Sequence, residues 1–286
     1  MNKKILVIGA AGFVGSAVTK QLQADGFTVR AFIRKEEKAR QLLGDKVEII
    51  VGNFTDKVTL DKALAGVDAV NLSAPWQAEA QLARDVTDIL AKQGRRDVRV
   101  SYISGITVLP ENSGYVMIDE KLKAEEILKQ SGVAYTIFRP NWFMDALALF
   151  VRDRRATIFG SQKQAYAFLC LADFARSVSL AHQLESAANQ TFVLNGPQPM
   201  RMEESLQQYC AIVHPGVKVT TMPIWFGKFL AYLTKSDQMN TFVQMMAYFE
   251  KSPKISLSNG AEDMLKVALT PFQEWLKIQE KRTGKL

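Results

Sequence analysis

Apolar runs and amphipathic stretches alternate through the first half of the chain. Lys4–Ile8 (KILVI) is a short apolar run that ends in glycine, Val14–Leu22 carries apolar positions at helical spacing, and Thr28–Ile33 is again apolar and β-branched. The rhythm then repeats. Glu36–Leu43, Val58–Leu64, Glu79–Ala91 and Ile118–Gln130 read as helices, and Val47–Val51, Asp68–Leu72, Val98–Ile103 and Ala134–Phe138 as strands. Strands that alternate with helices this often predict a parallel sheet covered on both faces, a doubly wound (Rossmann-type) α/β fold.

After Pro140 the pattern loosens. Phe143–Phe150 and Asp173–Leu184 have helical spacing, Thr191–Leu194 reads as a strand before Gly196-Pro197, and Met202–Leu286 is mostly helical apart from a strand-like stretch at Val217–Met222. No internal repeat or low-complexity linker separates the parts. The predicted organisation is a Rossmann domain over residues 1–140, with a late strand near 191–196 added to its sheet. A smaller, mostly helical C-terminal lobe for substrate or partner, 141–286, is not expected to stand alone. A cleft between them is the expected ligand site.

Composition narrows the class. With 286 residues, 48% of them hydrophobic and 23% charged, the chain is neither disordered nor fibrous. Two cysteines, Cys170 and Cys210, make no disulfide framework, and His182 and His214 have no ligand spacing around them, so no metal is expected. The short apolar run before Gly9 is no signal-peptide core, and the Trp225–Thr234 segment is broken by Lys228, so a cytoplasmic protein without a membrane span is expected. The net charge of +7 suits anionic ligands, but the basic residues are spread along the chain, and nucleic acid is not an expected partner.

The candidate chemistry starts at Gly9-Ala10-Ala11-Gly12-Phe13-Val14-Gly15, between the first strand and the first helix. A glycine turn there admits a pyrophosphate close to the backbone and meets its charge with the helix N-terminus. Gly9, Ala11, Gly12, Phe13, Val14 and Gly15 are therefore candidate cofactor residues. NAD binders usually place a carboxylate at the end of the second strand, but this chain has Ile33-Arg34-Lys35 there. A guanidinium fork stacks on adenine and grips a 2′-phosphate, so Arg34, assisted by Lys35, argues for NADP(H). Ser73, Ala74 and Pro75 follow the fourth strand, where a cofactor would pass, and Trp76 beside them either walls a nicotinamide pocket or packs. Pro140, Asn141, Trp142 and Phe143 follow the sixth strand. Asn141 has the chemistry to bond a carboxamide, and the two aromatics either line an apolar pocket or belong to the core. The Met239, Met245 and Met246 segment reads as helix core.

The G-x-x-G-x-x-G spacing resembles the extended and atypical branches of the short-chain dehydrogenase/reductase superfamily. Gly52-Asn53-Phe54-Thr55-Asp56 is similar to that superfamily's adenine-cupping segment, which marks Asn53 and Phe54 as cofactor residues, with Asn53 in place of the usual Asp. Ser131–Pro140 (SGVAYTIFRP) and Phe192–Pro197 (FVLNGP) resemble runs of the NmrA-like branch, and the likeness extends to about residue 205. The superfamily reduces carbonyls with a Ser and a Tyr-x-x-x-Lys pair. Here the Lys falls on Lys121, the Tyr position is Met117, and the Ser position falls near Gly105 with Ser104 beside it. Tyr115 lies six residues before Lys121: if the helix includes it, it points about 240° round from Lys121, and if it lies in a loop its position is open. Ile118, Lys121, Leu122, Glu125 and Leu128 form one stripe, so Lys121 is expected to face the sheet beside Glu125. The resemblance implies that Lys121 holds the ribose or serves as a general acid.

Two functions follow from the resemblance. The first is an NADP(H)-dependent oxidoreductase for a small apolar substrate of the quinone or enone kind, acceptors that need less proton assistance than a ketone. The alternative is a non-catalytic NADP(H)-binding redox sensor that reports to a protein partner. A monomer or a homodimer fits either.

Overall fold

The computed structural model describes residues 3–258 and 260–282. The chain divides into two compact units. The first is built from Met1–Pro140, Leu171–Leu194 and Ile255–Ala268, and the second from Asn141–Cys170, Asn195–Lys254 and Leu269–Leu286.

The first unit is a seven-stranded sheet. Its strands are β1 (Lys4–Ile8), β2 (Thr28–Ile33), β3 (Glu48–Val51), β4 (Ala69–Leu72), β5 (Arg99–Ile103), β6 (Tyr135–Pro140) and a later strand at Gln190–Leu194. In spatial order they run from that later strand through β6, β5, β4 and β1 to β2 and β3, every neighbouring pair parallel. β1, β4 and β5 lie inside the sheet and are buried almost throughout, as a parallel sheet covered on both faces requires, with Asn71 and Ser101 as buried polar positions. One face is covered by α3 (Lys57–Leu64), α4 (Glu79–Lys92) and α5 (Val116–Gln130), whose Leu60, Leu64, Leu82, Val86, Leu90, Ala124 and Leu128 share a core with Leu6, Val70, Val100 and Ile137. The remaining helices of this unit are α1 (Phe13–Ala24), α2 (Glu36–Leu43) and α6 (Leu171–Gln183), with α1 packed on α6. The doubly wound fold is as expected from the sequence.

Local signals place the elements. Asp56 caps α3 by accepting from the amides of Val58 and Thr59, and Gly44 ends α2 at φ +77°. The sheet order reverses between β1 and β4, which defines the switch point of the unit.

The second unit mixes short strands with helices. β7 (Val151–Arg152), β8 (Arg155–Phe159) and β12 (Val219–Met222) form one small sheet, and β9 (Ala165–Ala167) pairs with β11 (Pro199–Arg201), the later strand of the main sheet being β10. α7 (Met202–Val213), α8 (Ile224–Thr234), α9 (Asp237–Glu250) and α10 (Phe272–Arg282) complete it. Gly227 lets α8 close on its neighbours, because a Cβ there would lie 2.8 Å from the Phe159 ring and 2.9 Å from Val243. The expected helix at Phe143–Phe150 is a 3₁₀ segment, Met144–Phe150. Among the described residues, no helix is long and apolar enough to cross a membrane, and no group of three or more His, Cys, Asp or Glu is placed to hold a metal ion.

Candidate functional site

The parallel strands bring the loops after β1, β2, β3, β4 and β5, together with the end of β6, to one edge of the first unit. At the switch point Gly9 turns the backbone at φ +81°, a left-handed conformation that side chains resist. A Cβ on Gly9 would lie 2.2 Å from the Ser73 carbonyl oxygen, and a Cβ on Gly15 would lie 2.2 Å from the Gly9 carbonyl oxygen. Both glycines are thus required for the loop after β1, the first turn of α1 and the loop after β4 to close on one another. Gly12 donates to the Gly9 carbonyl at 2.9 Å and stands at the helix N-cap without a side chain to cap it. The first bond of the helix runs from the Ser16 amide to the Gly12 carbonyl, and its first turn holds no acidic residue. Ala11, Gly12, Phe13 and Val14 keep some exposure around this opening. A helix start with backbone amides, a positive dipole end and no carboxylate has the chemistry to receive a pyrophosphate.

Arg34 and Lys35 follow β2 and are exposed, with no side-chain hydrogen bond or ion pair among the described residues. That leaves the Arg34 guanidinium open to a phosphate. Asn53 and Phe54 follow β3. The Asn53 side chain accepts from the Thr55 amide at 3.4 Å, and Phe54 packs against the core, which anchors this loop.

After β4, Ser73 donates to Asn71 Oδ1 at 3.2 Å, and Asn71 Nδ2 donates to Ser101 Oγ on β5 at 2.8 Å. Ser101 Oγ in turn lies 3.1 Å from His182 Nε2 on α6. His182 is buried, its Nδ1 has no partner among the described residues, and burial with the nearby charges of Arg99 and Lys3 brings its pKa down to about 3. Ala74 is half-buried against the core, Pro75 is exposed, and Trp76 is half-buried in the single turn that leads into α4.

Lys121 faces the sheet, but its partner is Glu79 and not Glu125. Its ammonium lies 2.9 Å from both Glu79 oxygens and 3.2 Å from the Ile103 carbonyl at the end of β5. Tyr102 on β5 donates its hydroxyl to Glu79 Oε2 at 2.8 Å, and the ammonium stands 5.5 Å from the centre of the Tyr102 ring. Burial, followed by the Glu79 charge, holds the Tyr102 phenol well above its ordinary pKa, so it remains a donor. Glu125 is taken by Arg139, at 2.9 Å and 2.6 Å, by Ser104 at 2.6 Å and by Lys129 at 3.2 Å. Burial raises the Glu125 pKa, yet the Arg139 and Ser104 bonds and the charges of Arg139 and Lys129 outweigh it and leave it lowered. The guanidinium fork explains why the expected i, i+4 neighbour of Lys121 is lost. Ser104 therefore spends its hydroxyl on Glu125, and Met117 occupies the position of the superfamily's proton donor. Tyr115 is the N-cap of α5 and accepts helix bonds with its carbonyl, outside the helix that carries Lys121.

Glu79 and Tyr102 are absent from the expected site. An acid at the start of a helix reads as a dipole partner and a Tyr inside an apolar strand as core, and neither pattern reveals the bond between them.

Pro140 ends β6. Asn141 and Phe143 belong to the second unit. The Asn141 side chain donates to Asn195 Oδ1 at 2.9 Å and accepts from the Trp142 amide at 2.8 Å, so it braces its own loop. Phe143 is half-buried and pairs through its backbone with Leu169. Trp142 packs among Phe150, Tyr166 and Phe249, and the core reading fits it; Met246 is buried as expected.

Comparison with known proteins agrees with this geometry. A family model described as NAD(P)H-binding matches residues 9–162. The NAD(P)H azoreductase of Xenophilus azovorans is 27% identical over 201 residues, which are 68% of this chain and 69% of that protein. The photosystem II assembly factor Ycf39 of Cyanophora paradoxa is 25% identical over 232 residues, 78% of this chain and 72% of that one. Among solved structures, the NADPH-dependent quinone oxidoreductase QOR2 of Escherichia coli, solved with NADPH, superposes with a TM-score of 0.77 at 18% identity, covering 96% of this chain and 99% of its own. The family match covers more than half of the chain and, with the glycine turn at the switch point, makes the chain a member of the NAD(P)H-binding family, whose seven-stranded fold the solved structure shares.

Proposed function

We propose that this protein is an NADP(H)-dependent reductase of a small apolar acceptor of the quinone or enone class. The observation that carries the reading is the Gly9 turn closed against Ser73 at the switch point, with an exposed, unpaired Arg34 at the end of the adjoining strand. In this reading the 9–15 turn holds the pyrophosphate, Arg34 and Lys35 the 2′-phosphate, and Asn53 and Phe54 border the adenine. The Ser73–Pro75 loop, Lys121, Pro140, Asn141 and Phe143 serve the nicotinamide half. When bound, NADPH supplies a hydride.

The acceptor class follows from what the chain lacks. Met117 has no proton to give, and the Ser104 hydroxyl is engaged by Glu125. The three N–H bonds of Lys121 are directed at Glu79 and Ile103. Lys121 is thus arranged to hold and orient, and its longest bond, 3.2 Å to Ile103, is the one a ribose hydroxyl replaces at least cost. An acceptor whose reduced form is a stabilised anion takes its proton from water and needs no acid from the protein. The azoreductase and quinone oxidoreductase names borne by similar proteins support this class.

The test is calorimetric titration with NADPH and NADH, followed by loss of nicotinamide absorbance with a panel of quinones and enones. NADPH preference with turnover of a quinone supports the reductase. A second reading is favoured by the same missing donors and by the assembly-factor name of one relative: an NADP(H)-binding sensor that acts through a protein partner. Tight NADPH binding without turnover selects it. No binding of either dinucleotide overturns both.

A further inference from the structure

We propose that Glu79 is the positioning residue for Lys121, fixing its ammonium at the carboxyl end of β5 and tying it to the loop after β4. This rests on the reading of Lys121 given above and assigns the group through which it works.

The geometry is specific. Glu79 is the first residue of α4 and only 6% exposed. Its carboxylate is turned inward, with both oxygens on Lys121 and one also receiving the Tyr102 hydroxyl. A buried ion pair often adds nothing over an apolar pair, so its presence at the edge where the glycine turn lies points to orientation rather than stability. The four-carbon stem of a lysine is flexible, and here two oxygens and one backbone carbonyl define a single place for its head group. Tyr102 in turn fixes the carboxylate: it is 1% exposed, and its phenol stays protonated. Glu120 and Glu125 also act on that phenol, more weakly than Glu79. One short turn, Trp76–Ala78, separates Glu79 from Pro75. The Glu79–Lys121 pair therefore joins the helix that follows the Ser73–Pro75 loop to α5.

The test uses the full chain with Glu79→Gln, which keeps the shape and removes the charge, and Glu79→Asp as the conservative variant. The readouts are the resonance position of the Lys121 ammonium by lysine-selective NMR in protein without dinucleotide, assigned by its absence in Lys121→Arg, and kcat and KM with NADPH and a naphthoquinone. In Glu79→Gln we expect that resonance to move towards those of the exposed lysines, because the anion that fixes the head group is gone. With it kcat falls about tenfold to a hundredfold with KM little changed, as for a misplaced orienting group. Glu79→Asp recovers most of kcat. An unchanged Lys121 resonance and an unchanged kcat overturn the proposal. If Glu79→Gln fails to fold, Tyr102→Phe removes only the hydroxyl that holds the Glu79 carboxylate, and a smaller move of the Lys121 resonance with a fall in kcat is expected; no change in either overturns the proposal. Wild-type protein that binds NADPH without reducing the quinone defeats the reductase reading alone, and the Lys121 resonance still decides the role of Glu79.

Discussion

Replacing Arg34 by alanine removes an exposed guanidinium that no side chain among the described residues engages, so the fold has little to lose and any change reports on the ligand. A charge-assisted bond to a phosphate contributes about 1.5–3 kcal/mol, and we expect NADPH affinity to fall about tenfold to a hundredfold while NADH binding is unchanged, read by calorimetry. Equal losses for both dinucleotides would remove Arg34 from the 2′-phosphate. A second residue-scale expectation concerns the proton. If Lys121 holds and water protonates, kcat measured in H₂O and D₂O at matched acidity differs little, while deuterium at the transferred hydride slows the reaction; a large solvent effect would restore Lys121 as an acid. At this scale the sequence was legible where one residue type has one physical use. Gly9 and Gly15 were readable because only a missing side chain admits the Ser73 and Gly9 carbonyls at such range. The Lys121–Glu79 pair was not, because its members lie on different helices and meet only after α4 and α5 pack together. The helical neighbour Glu125 was the better guess from spacing, and it was lost to Arg139, a residue on a strand.

Between elements, two buried polar groups link sheet and helices and make distinct predictions. Arg139 on β6 neutralises Glu125 on α5, and each is mostly shielded from water. Arg139→Met leaves a buried carboxylate without its main partner, and we expect a loss of about 3–5 kcal/mol in chemical denaturation, less if Lys129 takes over. His182 on α6 is held neutral, with its pKa brought down to about 3 from an unfolded value near 6.5. Between those values the unfolded chain binds a proton that the folded chain refuses, so the stabilisation is complete above about pH 6.5 and lost progressively as pH falls towards 3. Tm should drop across that window, and His182→Gln should flatten the drop; an equally steep decline in the variant would assign it to carboxylates such as Glu125. The elements themselves were readable wherever periodicity was strong, which covers all seven strands of the main sheet. β8, with Arg155 and Thr157 in a five-residue span, was not, because it is stabilised by pairing with β12 some sixty residues later and not by a local pattern.

For the whole molecule, binding should appear as stability. A ligand that binds only the folded chain contributes about 2.7 kcal/mol at a hundred times its Kd, which for a chain of this length raises Tm by several degrees. NADPH is expected to give that rise and NADH a smaller one at equal concentration; equal shifts would argue against NADP(H) preference. The division of the chain has a further consequence. β10 completes the main sheet beside β6, yet about fifty residues of the second unit and α6 separate the two strands. A nascent chain leaving the ribosome therefore displays β6 as an open edge for several seconds of synthesis at ordinary elongation rates. In that interval it is a template for pairing with another nascent copy, and holding chaperones have their largest effect on yield. The matched span 9–162 retains β6 but omits both β10 and β1, the strand between β4 and β2, so as an expressed fragment it keeps that edge for good and opens the middle of the sheet as well. We expect such a fragment to aggregate, as seen by size-exclusion chromatography, which makes the limits of family likeness a poor guide to where this chain can be cut.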